Sequence, residues 1–212
     1  MGDMSGFRDA VGRWAADGTE GADGPAGARA RGLAVGLGLR TALLLEGPSD
    51  LAAVEALAAL RGRDLAAEGV CVVAMGGAMS IARYAALLGP PGLGLRLGGL
   101  CDERERPFYD RGLHRARAPL GGFFVCVADL EDELIRALGT ARVEEVVGDG
   151  GDGRAWQTFL RQPAQHGRPR REQLRRFLGT KKGRKIRYGR LLVEALEPGR
   201  VPAPLDGLLT SL

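Results

Sequence analysis

Acidic residues stand at three places where a buried strand should end. Glu46 closes "TALLLE", and Asp50 follows four residues later in "EGPSD". Asp102 closes "LGLRLGGLC" in "GLCDERE", and Asp129 and Glu131 follow "GFFVCV" in "VADLEDEL". Carboxylates drawn together repel and raise one another's pKa. A divalent cation removes that conflict, since hard ions such as Mg²⁺ take carboxylate, water and phosphate oxygens. The chemistry open to such a set is metal-assisted hydrolysis of a phosphate ester. Each acid taken singly has a plainer role. Asp50 and Asp129 stand where helix N-caps stand, and Glu131, Asp132 and Glu133 suit a first helical turn. Asp102, Glu103 and Glu105 suit a solvated loop. Glu46, directly after three leucines, fits a plain role worst, and the joint arrangement points to metal.

These acids meet only if the elements bring them together. From Thr41 short apolar runs alternate with helical segments: "TALLLE", "GVCVVAM", "LGLRLGGLC" and "GFFVCV" are separated by "DLAAVEALAALRG" and "MSIARYAALLG", and "LEDELIRALG" follows. In the first helix Leu51, Val54, Leu57 and Leu60 share a face; in the second Ile81, Tyr84, Ala85 and Leu88 do. Continuous apolar strands between helices predict an α/β fold, a Rossmann-like parallel sheet covered on both faces. Right-handed crossovers then place every strand's C-terminal end on one edge, where open α/β sheets put their sites.

The chain has 212 residues with a net charge of +4, and its charge is unevenly spread. Between Arg154 and Arg190 stand thirteen Lys or Arg and a single acid, Glu172. That final third reads as a C-terminal basic helical appendage, with Arg170, Arg171, Arg175, Arg176, Lys181, Lys182 and Arg184 as candidate contacts to a nucleic-acid backbone. Trp156, Phe159 and Phe177 fit its small core. Residues 1–38, rich in Gly, Ala, Arg and Asp, are expected to be a flexible segment, although a short helix can be drawn over Phe7–Ala16. The expected division is therefore 1–38, a sheet domain over 39–148, and a helical subdomain over 149–212.

Several function classes are disfavoured. No apolar stretch is long enough to span a bilayer and no secretory signal is visible, so a cytoplasmic protein without a membrane partner is expected. Cys71, Cys101 and Cys126 lie singly in apolar runs, against a disulfide scaffold or a zinc site. His114 and His166 sit in Arg-rich polar contexts, and Ser49 and Ser80 lack a base at triad spacing.

"LLLEGPSD", the "MGG" turn at Met75–Gly77 and "GLCDERE" together resemble the Toprim domain, and the EGxxD form is similar to the branch found in OLD-family (overcoming lysogenization defect) nucleases. "ADLEDELIRALG" and "GRKIRYGRLLVEAL" resemble the acidic helix start and lysine-bearing helix of that branch. The resemblance implies that Glu46, Asp50 and Asp102 hold catalytic metals, with Glu46 also handling protons, and that Glu131 completes a second metal site. It implies that Gly76 and Gly77 form the turn near the site and that Lys185 neutralises charge on the scissile phosphate. This chain departs from the family's DxD motif: Arg104 stands two residues after Asp102, and Glu105 or Glu103 must reach back to substitute. It also shows no GxxxxGK[ST] loop, whereas OLD nucleases carry an N-terminal ATPase, so ATP dependence would need a separate ATPase partner or has been lost.

The expected activity is a Mg²⁺- or Mn²⁺-dependent endonuclease that cuts or nicks DNA using two ions, with RNA as an open alternative substrate; the resemblance leans towards a homodimer. Two rivals remain open. One is a non-catalytic Toprim scaffold that binds nucleic acid in DNA repair or phage defence. The other is a phosphate-handling enzyme using "MGGAMS" at a helix N-terminus.

Overall fold

The computed structural model describes residues 3–17, 24–119 and 122–212, apart from the side chains of Asp17 and Lys182. Its centre is a sheet of four parallel strands, β1 (Thr41–Leu45), β2 (Val70–Ala74), β3 (Arg96–Asp102) and β4 (Phe123–Cys126), in the order β2-β1-β3-β4. All three pairings are parallel, with Leu43 opposite Val72 and Gly98, and Asp102 opposite Cys126. The four apolar runs of the sequence are these four strands. Every residue of β1 is buried because both sheet faces are covered. The period of two divides its side chains: Leu43 and Leu45 enter one core layer, Ala42 and Leu44 the other.

The Leu43 layer is roofed by α3 (Pro48–Leu60), α6 (Leu130–Leu138), α7 (Thr140–Val147), α8 (Gly153–Leu160), α9 (Arg170–Gly179), α10 (Lys182–Glu194) and α11 (Ala203–Thr210). The Leu44 layer is covered by α1 (Met4–Asp17), α2 (Pro25–Gly36), α4 (Ile81–Leu88) and α5 (Arg106–Arg115). The basic final third thus shares one continuous core with the sheet. Trp156, Phe159 and Phe177 form an aromatic trio at its centre, with ring centroids 5.1 to 5.9 Å apart. The expected boundary after residue 148 falls at a kink: the turn Gly148–Asp152 joins α7 to α8, and Gly151 leaves helical backbone there at φ 81°.

The N-terminal segment is a correction. Residues 4–17 and 25–36 are helices packed on the sheet rather than a flexible lead. Phe7, Val11 and Trp14 recur at helical spacing and are buried, an apolar face hidden in a Gly- and Ala-rich composition. Ala30 and Ala34, one turn apart in α2, are buried too. Residues 18–23 of the expected linker lie outside the described residues. Among the described residues no helix is long and apolar enough to cross a membrane.

Candidate metal centre

Because the strands run one way, their C-terminal ends share a rim, and the acids gather there. One oxygen each from Glu46, Asp102 and Glu105 lies within 4.8 Å of the others. Glu46 leaves β1, and its backbone is pinned by the turn after β2: the N–H groups of Gly76 and Gly77 both donate to its carbonyl at 3.0 Å. Gly77 has φ 127° and Gly76 φ 76°, a backbone path open to glycine. These two N–H groups are thereby occupied by Glu46. Asp102 ends β3, and a tight turn follows in which Glu105 N–H donates to the Asp102 carbonyl at 2.9 Å. That turn folds Glu105 back beside Asp102, so the second acid of the altered motif is Glu105; Glu103 is exposed.

Asp50 and Glu131 stand close by. Asp50 is the third residue of α3 rather than its cap; Gly47 is the cap, and its N–H donates to Asp50 Oδ2 at 2.9 Å. Asp129 is a true N-cap, accepting from Asp132 N–H at 2.8 Å. Glu131, 4 % exposed, lies in the first turn of α6. Lys185 Nζ reaches Glu131 Oε1 at 3.3 Å. It can do so because α10 lies flush on the start of α3: a Cβ at Gly189 would stand 2.5 Å from the Ser49 carbonyl oxygen. Glu46, Asp50, Asp102, Asp129, Glu131 and Lys185 line a cavity of about 20 Å³, room for one small ion.

The charges are under-compensated. Burial, then the adjoining Glu105 carboxyl, pushes Glu46 up, and Asp50 is raised chiefly by burial. Asp102 is pushed up to about 8 by burial and then by the charges of Glu46, Asp129 and Glu105. Glu131 rises to about 7 because burial outweighs the opposing pull of Lys185. Burial alone would lower the Lys185 ammonium, but Glu131 and Asp50 overcome it and hold the cation above its usual range. Glu105 Oε2 is buried with no hydrogen-bond partner among the described residues. A buried, unpartnered carboxylate oxygen beside two acids of raised pKa fits a hard cation. The carboxylate oxygens of Glu46, Asp102 and Glu105 are donors of the kind a hard divalent cation takes.

The five acids named for metal from the sequence therefore come together, with Lys185 among them. Asp129 was placed at the strand end as a cap, yet it also lines the cavity; its signal was its position immediately before Leu130 and Glu131. The basic residues divide. Arg171 and Arg175 line, with Arg168, Arg176 and Lys185, a cleft of about 570 Å³ between α6 and α9 that opens beside Glu131. Arg171 pairs with Asp132 at 3.2 Å, Arg175 with Asp129 at 2.6 Å and Arg170 with Glu144 at 3.1 Å. Arg176 and Lys181 are exposed, and the Lys182 side chain lies outside the described residues. Arg184 is a correction. Its side chain is 7 % exposed, pairs with Asp152 at 3.1 Å and stacks 4.0 Å over Phe177, so it builds the fold and cannot meet a nucleic-acid backbone.

Residues 39–103 match the family model described as "Overcoming lysogenization defect protein-like, TOPRIM domain". No curated protein sequence matches the chain. Among solved structures, the C-terminal region of the Burkholderia pseudomallei OLD protein is similar at a TM-score of 0.59 and 22 % identity, over 82 % of this chain and 96 % of that one. The C-terminal region of the Xanthomonas campestris pv. campestris OLD protein is similar at a TM-score of 0.59 and 24 % identity, over 81 % and 93 %. Those likenesses are of fold. Residues 39–103, with the EGxxD turn and the acids of the sheet's rim, are a Toprim domain of the OLD-like type.

Proposed function

We propose that the chain is a divalent-metal-dependent endonuclease that nicks or cuts DNA. The observation that carries this reading is the convergence of Glu46, Asp102 and Glu105 within 4.8 Å, from two strand ends and a helix cap, beside the Lys185–Glu131 pair. Glu46, Asp102 and Glu105 would hold one ion, and Asp50 and Glu131 would share in a second. Bound there, such ions supply Lewis acidity towards a phosphate oxygen and a more acidic water.

The chain's own groups do the rest. The glycine turn fixes the Glu46 backbone, so its carboxylate is oriented before substrate arrives. Glu46, whose pKa is raised by burial and by the adjoining Glu105 carboxyl, is suited to take up and return a proton at its carboxylate. Lys185 holds a positive charge beside the cavity, where it offsets charge gathering on a phosphate oxygen. Arg168 and Arg176 extend positive charge along the adjoining cleft, which suits a phosphate backbone without reading sequence.

The test is a supercoiled-plasmid assay with Mg²⁺, Mn²⁺ or EDTA, run with Glu46→Ala and Lys185→Ala. Wild type should nick with metal and not with EDTA. Lys185→Ala should lose about 10²-fold or more in rate, the usual effect of removing one group that stabilises developing charge, and Glu46→Ala at least as much. Clean wild-type protein that binds DNA but never nicks it with either metal would sink the nuclease reading and leave the scaffold.

A further inference from the structure

On the opposite side of the sheet from α9 and α10, α5 begins at the same rim. Glu105 is its N-cap, so the helix starts from a member of the acidic triad. The buried side of α5, with Tyr109, Gly112 and Leu113, packs on the Leu44 layer. Its outward side is different. Phe108, Arg111 and Arg115 recur at i, i+3 and i+7 and share one exposed face. Phe108 lies one turn from Glu105, an axial rise of about 5 Å. Its ring is among the few large apolar groups left open to solvent, and the Arg111 guanidinium sits over one face of it, 5.0 Å from the centroid.

The charge on this face is free. Arg104, Arg111 and Arg115 are exposed and have no ion pair among the described residues, and Arg106 meets Asp110 only loosely, at 4.0 Å. Two further exposed apolar side chains stand on the same rim: Met79 in the turn after β2 and Val127 directly after β4. Three of the five exposed large hydrophobics among the described residues thus border a strongly charged site. A solvated charged rim has no use for them, whereas an aromatic ring beside unpaired arginines matches a ligand carrying flat apolar rings on a polyanionic backbone. That ligand is unpaired nucleic acid, because duplex bases are already stacked on one another.

We propose that the substrate strand crosses the sheet rim from the acidic cluster onto α5, where an unpaired base stacks on the free face of Phe108 and its phosphates meet Arg104, Arg111 and Arg115. This rests on the nuclease reading of the rim and narrows it: the substrate is single-stranded or frayed beside the scissile phosphate.

The experiment is fluorescence anisotropy in EDTA with a labelled single-stranded DNA and its blunt duplex, followed by cleavage of both with Mn²⁺. Phe108→Ala should weaken single-strand binding about 5- to 100-fold and duplex binding no more than about 2-fold, as loss of one stacked base requires. Phe108→Trp should retain wild-type single-strand affinity, which separates stacking from a folding defect. Equal single-strand affinity of wild type and Phe108→Ala overturns the proposal, as does an equal loss on both substrates. If wild type cuts while Phe108→Ala binds unchanged, the stacking platform fails and the nuclease stands. If binding depends on Phe108 but no cutting follows, the nuclease reading fails and the platform stands.

Discussion

From Arg168 to Arg190, α9 and α10 hold the densest positive charge in the sequence, yet most of it is committed internally. Arg170 meets Glu144, Arg171 meets Asp132, Arg175 meets Asp129, Lys185 meets Glu131, and Arg184 and Arg187 share Asp152. In α5 the arginines are fewer and one acid, Asp110, stands among them, but Arg111 and Arg115 are exposed without an ion pair among the described residues. The difference teaches that linear charge density and available charge are separate quantities. A cation already paired with a half-buried carboxylate must give up that pair to meet a phosphate, while an exposed, unpaired one gives up only hydration. The C-terminal helices therefore spend much of their charge holding α6, α7 and α10 in place, and α5 is the readier contact.

The largest expected effect separates the two directly. Arg184→Ala should cost about 3 kcal/mol of stability, read by urea unfolding, because it strips a buried cation from Asp152 and from the Phe177 ring. At temperatures where the variant is folded, its affinity for nucleic acid should match wild type. A variant of normal stability with weakened binding would make Arg184 a contact after all and erase the contrast.

What the sequence could show follows the same division. The four strands, their common direction and the gathering of Glu46, Asp50, Asp102 and Glu131 were legible, because apolar runs and a strand-helix rhythm leave few topologies. Glu105 was legible only as one of two choices; the turn that returns it to Asp102 depends on backbone geometry that spacing alone does not fix. Of the two N-terminal helices, the first was legible over Phe7–Ala16 but its packing on the sheet was not, and the second was hidden because Ala and Gly dominate its composition. The standing of each arginine was not legible at all. Arg184 owes its burial to Asp152, thirty-two residues earlier, and only tertiary packing joins them.

A smaller effect sharpens the contrast through salt. For single-stranded DNA the slope of log K against log salt should flatten by about 0.7 for each phosphate contact removed. Arg111→Ala with Arg115→Ala should show close to that loss per residue. Arg170→Ala with Arg171→Ala should change the slope by much less, since those side chains are engaged with Glu144 and Asp132. The reverse order would return the binding surface to the C-terminal helices.

A last effect is in pH, and the two regions give it opposite signs. Asp152 is held below the usual carboxylate range by its hydrogen bonds to Arg184 and by the charges of Arg184 and Arg187. The unfolded chain therefore takes up this proton first as pH falls, and the stability from Asp152 is present above its ordinary pKa and lost below it. At the rim the sign reverses. Asp102, raised to about 8, and Glu131, raised to about 7, keep protons that the unfolded chain has already released. Metal-free protein should therefore lose stability as pH rises from about 5 towards 8, an effect seen in EDTA as a falling Tm. Binding a divalent ion needs these carboxylates ionised, so Mn²⁺ should raise Tm more near pH 8 than near pH 6. Asp102→Asn should flatten the alkaline fall, because Asp102 is crowded by Glu46, Asp129 and Glu105, while Glu131 already has Lys185 against it. A Tm that climbs steadily from about pH 6 to 8 in EDTA would mean that the rim carboxylates are ionised without a cation, and that their convergence places no demand for metal on the folded chain.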